Sequence, residues 1–258
     1  MNKEKKEPIT EFDLKLIADF FRKLDRQGPG SKEQTLRALE FVPDIPKMQI
    51  ADIGCGTGGQ TATIAQHRDC TITGVDLLPE LLEGFRTRME KAGLTNRVTS
   101  IEASMDALPF RSGDFDVIWA EGSIYNIGFE RGLAEWRRFL KPGGVVAVTE
   151  CSWLTASRMP TTPYILENFP EIDTPSAKVR ILENAGYIPV AHFVLPANCW
   201  TENYFAPVAA RIPVFLEEQG HSPAAVRMAA LLRDEIEHYR NHGKDYGYVF
   251  YIGRKPEE

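Results

Sequence analysis

The segment Ile50-Ala51-Asp52-Ile53-Gly54-Cys55-Gly56-Thr57-Gly58-Gly59 constrains the fold more than any other part of the chain. A short apolar run opens into four glycines within six positions, and a helix-forming stretch follows at once. Glycine supplies positive φ and lets backbone or ligand approach where a Cβ would collide. The helix that follows leaves its first N–H groups without partners of its own. Strand, tight turn and helix in this order open a βαβ unit, and ligands of open α/β sheets gather at such turns.

The rhythm continues downstream. The pattern predicts strands at Met48–Ile53, 71–75, 97–102, Phe115–Ala120 and 145–149, with helices at 58–67, Pro79–Lys91 and 130–140 between them. Strands alternating with helices of about ten residues mean a parallel sheet covered on both faces, with right-handed connections. The alternation then lapses into a Pro- and Thr-rich stretch, 151–174, read as an insertion that runs with the next helix to about 186. A helix at Pro175–Asn184 starts on proline. A strand at 187–195, helices near 202–219 and 223–241 and a closing strand at Tyr246–Arg254 complete the chain.

Residues 1–47 read as a helical cap or lid before the main domain, 48–258. Phe12, Leu16, Phe20, Phe21 and Leu24 fall at helical spacing, Gly28-Pro29-Gly30 breaks the pattern, and Ser31 with Gln34 spells a capping box for a second helix carrying Leu36, Leu39 and Val42. The glycines there read either as a hinge or as a helix-helix corner.

Composition excludes whole classes. The 258 residues carry 30 Lys and Arg against 36 Asp and Glu, a net charge of -6, which offers no field for a polyanion, so no nucleic-acid partner is expected. No apolar run approaches the roughly 18 residues of a membrane span, and Met1 to Thr10 mixes Lys and Glu without an apolar segment, so a cytoplasmic location with no membrane partner is expected. Cys55, Cys70, Cys151 and Cys199 are irregularly spaced, with no paired histidines, and read as free thiols without a metal site. Nothing in the sequence speaks to oligomeric state.

The ligand of the turn is left open by spacing alone, since Gly54, Gly56 and Gly59 also fit the dinucleotide pattern G-x-G-x-x-G. Asp52, two residues before the first glycine, would repel a pyrophosphate and attract an ammonium group. Asp76 ends the second strand twenty residues after Gly56, where a carboxylate can accept both ribose hydroxyls or, in the plainer reading, cap the next helix.

Together these residues resemble the class I, Rossmann-like, S-adenosylmethionine-dependent methyltransferases of the small-molecule branch, over roughly residues 48–150. The resemblance implies an α/β, doubly wound, seven-stranded, mostly parallel sheet in the order 3-2-1-4-5-7-6 with the last strand antiparallel. It implies that Asp52, Gly54, Cys55, Gly56, Thr57 and Gly58 hold the methionine end of S-adenosylmethionine, and that Asp76, with Leu77 beside it, binds the ribose. Ser104, Met105 and Asp106 would edge the adenine, although many members carry an acid where this chain has Ser104. Glu121 ends the segment that passes beneath the transferable methyl group, and Lys141-Pro142-Gly143-Gly144 resembles the turn into the fifth strand.

Methyl transfer from a sulfonium is an in-line displacement, so positioning and exclusion of water suffice unless the acceptor carries a proton. Candidate bases are Glu121 and Tyr125, against the plainer readings that Glu121 is a solvated or capping acid and that Tyr125 packs on the sheet. Ser31, Tyr125, Asn126, Glu150, Trp153, Trp200 and Tyr204 are candidates for a substrate pocket; Glu150 is expected to face the crevice beside Glu121, and Asn126 alternatively caps the helix near Glu130. Aromatic faces attract a sulfonium or an ammonium acceptor, though such rings more often serve packing. His67, His192 and Cys199 read as structural, exposed or inert. Methyl transfer to a small molecule is the leading reading. An NAD-dependent oxidoreductase and a non-catalytic S-adenosylmethionine-binding protein are its alternatives.

Overall fold

The computed structural model describes residues 11–156 and 162–257. The first ten residues and part of the expected insertion therefore lie outside the described residues. Two helices come first, α1 (Glu11–Phe21) and α2 (Lys32–Leu39). There follow β1 (Met48–Ile53), α3 (Gly59–His67), β2 (Cys70–Asp76), α4 (Pro79–Lys91), β3 (Val98–Glu102), β4 (Phe115–Ala120), α5 (Phe129–Trp136) and β5 (Leu140–Trp153). The last part holds α6 (Thr162–Asn168), α7 (Pro175–Asn184), β6 (Ile188–Val194), a single turn α8 (Asn198–Trp200), α9 (Ala206–Glu218), α10 (Pro223–His242) and β7 (Tyr246–Arg254).

The strands pair in the order β3-β2-β1-β4-β5-β7-β6. β1 runs parallel to β2 and β4, and β7 is antiparallel to both β5 and β6. The expected architecture is present. Ile50, Ile53, Val117, Trp119, Val146 and Val148 are buried because helices cover both faces, which is why these strands read as apolar runs without clean alternation. Among the described residues no helix is long and apolar enough to cross a membrane, and no cluster of acidic, His and Cys side chains is arranged to hold a metal ion.

Several boundaries differ from the sequence pattern; β5 runs on to Trp153 and α6 forms at Thr162–Asn168, both within the stretch read as an insertion. β5 starts at Leu140 because that residue pairs with Phe115 across an irregularity in the β4 ladder, so the expected turn at 141–144 lies inside the strand's span. The helix expected to reach residue 140 ends at Trp136, in a short 3-10 turn. The helix expected from 202 begins instead with a π-helical turn, Thr201–Phe205, which brings Tyr204 and Phe205 into the core.

The capping box at α2 forms by half. The Ser31 hydroxyl accepts from the Gln34 N–H at 3.2 Å, but the buried Gln34 Oε1 has no partner and the reciprocal bond is missing. The Gly28-Pro29-Gly30 loop is tied down at its far end: Gly30 N donates to the Cys199 carbonyl at 3.4 Å, and Asn203 Nδ2 donates to the Gly30 carbonyl at 3.0 Å.

Candidate functional site

The glycine turn joins β1 to α3. Gly54, Gly56 and Gly58 have φ of 74°, 54° and 79°, a left-handed run that residues with a Cβ adopt at a cost of about 1–2 kcal/mol each. The N–H groups of Gly54 and Cys55 both donate to the Val75 carbonyl, at 2.8 and 2.9 Å, so the turn is strapped to the end of β2. Asp76 completes the strap. Its Oδ2 accepts from Gly56 N at 2.9 Å and its Oδ1 from Leu78 N at 3.0 Å, and burial raises its carboxyl above the usual range. Asp76 thus ties the turn to the entry of α4 while remaining partly exposed, with the exposed Leu77 next to it.

Asp52 lies elsewhere than its sequence role implies. Its side chain is completely buried beneath the turn, where Thr61 Oγ1 donates to one oxygen and Gln60 Nε2 reaches the other at 3.4 Å. Period-two geometry explains this: Asp52 and Ile50 share a face of β1, and that face is covered by α3. The structure therefore does not present Asp52 to an ammonium group. Desolvation pushes its carboxyl up to about 7, with the charges of Glu121 and Asp76 adding to the shift against the bonds from Thr61 and Gln60.

A stability signature follows from that shift. The folded carboxyl titrates near 7 and the unfolded one near 3.8, so the native state holds an extra proton between those values. Stability falls as pH rises through that window and levels off above it. Asp52→Asn should remove part of the fall, on the order of a few kcal/mol at most. Urea unfolding at about pH 5 and about pH 8 measures it; an unchanged pH dependence in the variant would refute the burial argument.

Glu121 is the best-connected acid of the site. Arg26 Nη2 pairs with its Oε2, while Oε1 accepts from Thr35 Oγ1 at 2.7 Å and from Trp119 Nε1 at 2.9 Å; its side chain is 3% exposed. Arg26 and Thr35 both belong to the N-terminal cap. Beside them Gln27 Oε1 accepts from Thr57 N at 3.0 Å, and Arg88 bridges the Thr57 carbonyl to Asp25. The cap thus lies directly over the glycine turn, held by Arg26, Gln27, Thr35 and Arg88. Sequence reasoning missed all four, since an isolated Arg, Gln or Thr on a polar segment carries no spacing signal.

The adenine-edge candidates lie after β3. Ser104 Oγ donates to Asp106 at 3.1 Å, Asp106 also pairs with Arg131 at 2.7 Å in an exposed contact, and the Met105 carbonyl accepts from Trp136 Nε1 at 3.3 Å.

On the other side of the sheet's C-terminal edge the pocket candidates part company. Glu150 turns away from Glu121 and is buried against Lys178 of α7, with Nζ 3.4 Å from Oε1. Desolvation raises its carboxyl to about 7 against the pull of Lys178. Adjacent strands give neighbouring positions, yet the two side chains leave on opposite faces. Asn126 donates to the Ser123 carbonyl, and the cap of α5 comes from Glu171, whose Oε2 accepts from Phe129 N at 2.7 Å. Ser31 stays at its cap. Trp153, Trp200 and Tyr204 are buried, Trp200 stacking on Tyr239 at 4.7 Å. Tyr125 does not pack on the sheet: it is 40% exposed, with its ring edge-on to Phe169. His67 bonds the Thr63 carbonyl, and burial raises the Cys199 thiol.

Residues 50–144 match the family described as "Methyltransferase domain". The chain is 33% identical over 128 residues to a methyltransferase of Streptomyces halstedii, covering 49% of this chain and 46% of that protein. It is 31% identical over 110 residues to a sterol 24-C-methyltransferase of Gibberella zeae, covering 42% of this chain and 28% of that protein. It thus spans less than half of either relative. In fold it is similar to an S-adenosylmethionine-dependent methyltransferase of Geobacter sulfurreducens crystallised with S-adenosylhomocysteine, with TM-score 0.76, 21% identity and coverage of 93% of this chain and 96% of that one.

Proposed function

We propose that this chain, whose residues 50–144 match a methyltransferase-domain family and whose fold is similar to that of S-adenosylmethionine-dependent methyltransferases, is itself a class I S-adenosylmethionine-dependent methyltransferase that transfers a methyl group to a small organic acceptor. The observation that carries this reading is the left-handed glycine turn strapped to Asp76 at the edge between β1 and β2. It lies beside the point where the strand order reverses, the place open α/β sheets offer to a nucleoside.

The residues present fit S-adenosylmethionine. A Cβ on Gly56 would lie 2.2 Å from Gln27 Oε1, so glycine is what lets a polar group approach the backbone of the turn this closely. Asp76 offers carboxylate lone pairs to ribose hydroxyls, Leu77 an apolar surface, and Ser104 and Asp106 polar groups to the base. Arg26, a cation directly after Leu24 and Asp25 beside the turn, suits the amino-acid carboxylate. When bound, S-adenosylmethionine supplies an electrophilic methyl group. The chain's own work is then to orient acceptor and donor and to exclude water with the cap.

In this reading Glu121 anchors the cap, because three donors already engage its oxygens. Glu121→Gln should raise KM for S-adenosylmethionine about tenfold while leaving the pH profile of kcat unchanged. A profile that loses its acidic limb would identify Glu121 as a base instead. The reading as a whole is tested by formation of S-adenosylhomocysteine across a panel of small amine, hydroxyl and thiol acceptors, where no turnover with any class would argue for a silent binding protein.

A further inference from the structure

Glu235 has no place in the account so far. It sits on α10, three residues before His238, and so shares a helix face with it. Tyr164 stacks on the His238 ring at 4.0 Å, and Tyr246 shares a 2.9 Å hydrogen bond with His238 Nδ1. That pins two tyrosines to the same face as the Glu235 carboxylate. The carboxylate also lies within electrostatic reach of the Tyr125 and Tyr204 phenols, as it does of Tyr164 and Tyr246. No donor among the described residues reaches it.

Two residues show that this is a recess and not packed core. Glu235 keeps partial solvent access, yet protein surrounds it closely enough for desolvation alone to raise its carboxyl to about 7. Tyr125 is 40% exposed, and burial still pushes its phenol up. Groups that touch solvent while enclosed by protein line a cavity. Tyr125 lies in the short 3-10 turn Ile124–Asn126 that follows β4 and Glu121, so the recess opens beside that loop.

The charge around the recess has one sign. The phenols of Tyr125, Tyr164, Tyr204 and Tyr246 are all raised by burial first, and the Glu235 charge adds to the shift in every case, with no lysine or arginine offsetting them. His238 supplies no cation either, since burial and His242 lower its pKa. Aromatic faces beside an uncompensated carboxylate attract organic cations.

We propose that this recess receives the methyl acceptor as a small organic cation, a protonated primary, secondary or tertiary amine, with Glu235 as counter-ion and the tyrosine rings as its cage. The proposal rests on the methyltransferase reading above and names its substrate class. A protonated amine has no lone pair to give. Its N–H bond breaks with the electron pair left on nitrogen and the proton passing to a Glu235 oxygen, so ammonium and carboxylate become amine and carboxylic acid.

Calorimetric titration with choline, N,N-dimethylethanolamine and the neutral tert-butyl isostere of choline, on protein saturated with S-adenosylhomocysteine, tests this. We expect an ammonium probe to bind, the isostere to bind at least about tenfold more weakly, and Glu235→Gln to weaken the ammonium probe at least about tenfold with S-adenosylhomocysteine binding unchanged. Failure of both ammonium probes to bind, equal binding of the isostere, or indifference to Glu235→Gln would overturn the proposal. The isostere comparison needs no variant, so it decides the matter even if Glu235→Gln does not fold. Failure of S-adenosylhomocysteine to bind would count against the methyltransferase reading instead.

Discussion

Gly56→Ala should weaken S-adenosylhomocysteine binding at least about 100-fold, equivalent to about 2.7 kcal/mol, with little change in Tm. The backbone at Gly56, with φ of 54°, costs alanine only about 1 kcal/mol. The new methyl would meet Gln27 Oε1 at 2.2 Å, the far end of a side chain that can rotate, so the fold survives. The methyl group then stands on the turn that the proposed ligand must approach. It also displaces the amide that accepts from Thr57 N and so loosens the cap. Calorimetry with parallel thermal unfolding separates the two effects; an affinity within about threefold of the wild type would show that the ligand does not approach this turn.

Lys178→Met should cost about 3–5 kcal/mol of stability at pH 8. Lys178 is fully buried, with its Nζ 3.4 Å from Glu150 Oε1 and 4.5 Å from the centre of the Phe129 ring, and Glu150 Oε2 has no hydrogen-bond partner among the described residues. Removing the lysine leaves a buried carboxylate uncompensated. That carboxyl already titrates near 7, above its usual 4.5, so it sheds the penalty by taking up a proton as pH falls. The loss should therefore shrink below about pH 6, and Lys178→Met combined with Glu150→Leu should recover most of it. Urea unfolding of the two variants at both pH values measures this. A small loss at pH 8, or one indifferent to pH, would mean that the pair carries no such weight.

The fold was legible because parallel strands and their helices write themselves as local patterns. Met48–Ile53, Pro79–Lys91, Phe115–Ala120, Pro175–Asn184 and Tyr246–Arg254 fall where apolar runs, an N1 proline or flanking turn residues place them. The glycine turn and Asp76 were legible for the same reason, since both lie within one βαβ unit. What the sequence hid was decided by which face a side chain leaves on and by contacts from distant elements. Asp52 turns under α3, and Glu150 turns toward a lysine 28 residues away. Arg26 reaches Glu121 across 95 residues, and Glu235 comes within electrostatic reach of Tyr125 from a helix more than a hundred residues further on. The half-formed capping box at Ser31 adds a local example: the motif is present, yet Gln34 Oε1 finds no partner among the described residues.

The central claim is that the β1-α3 turn with Asp76 holds the nucleoside of S-adenosylmethionine, and calorimetric titration of the protein with S-adenosylhomocysteine and separately with NAD tests it most directly. The account predicts saturable, one-to-one binding of S-adenosylhomocysteine and none of NAD at the same concentrations. Saturable binding of NAD with none of S-adenosylhomocysteine would contradict it.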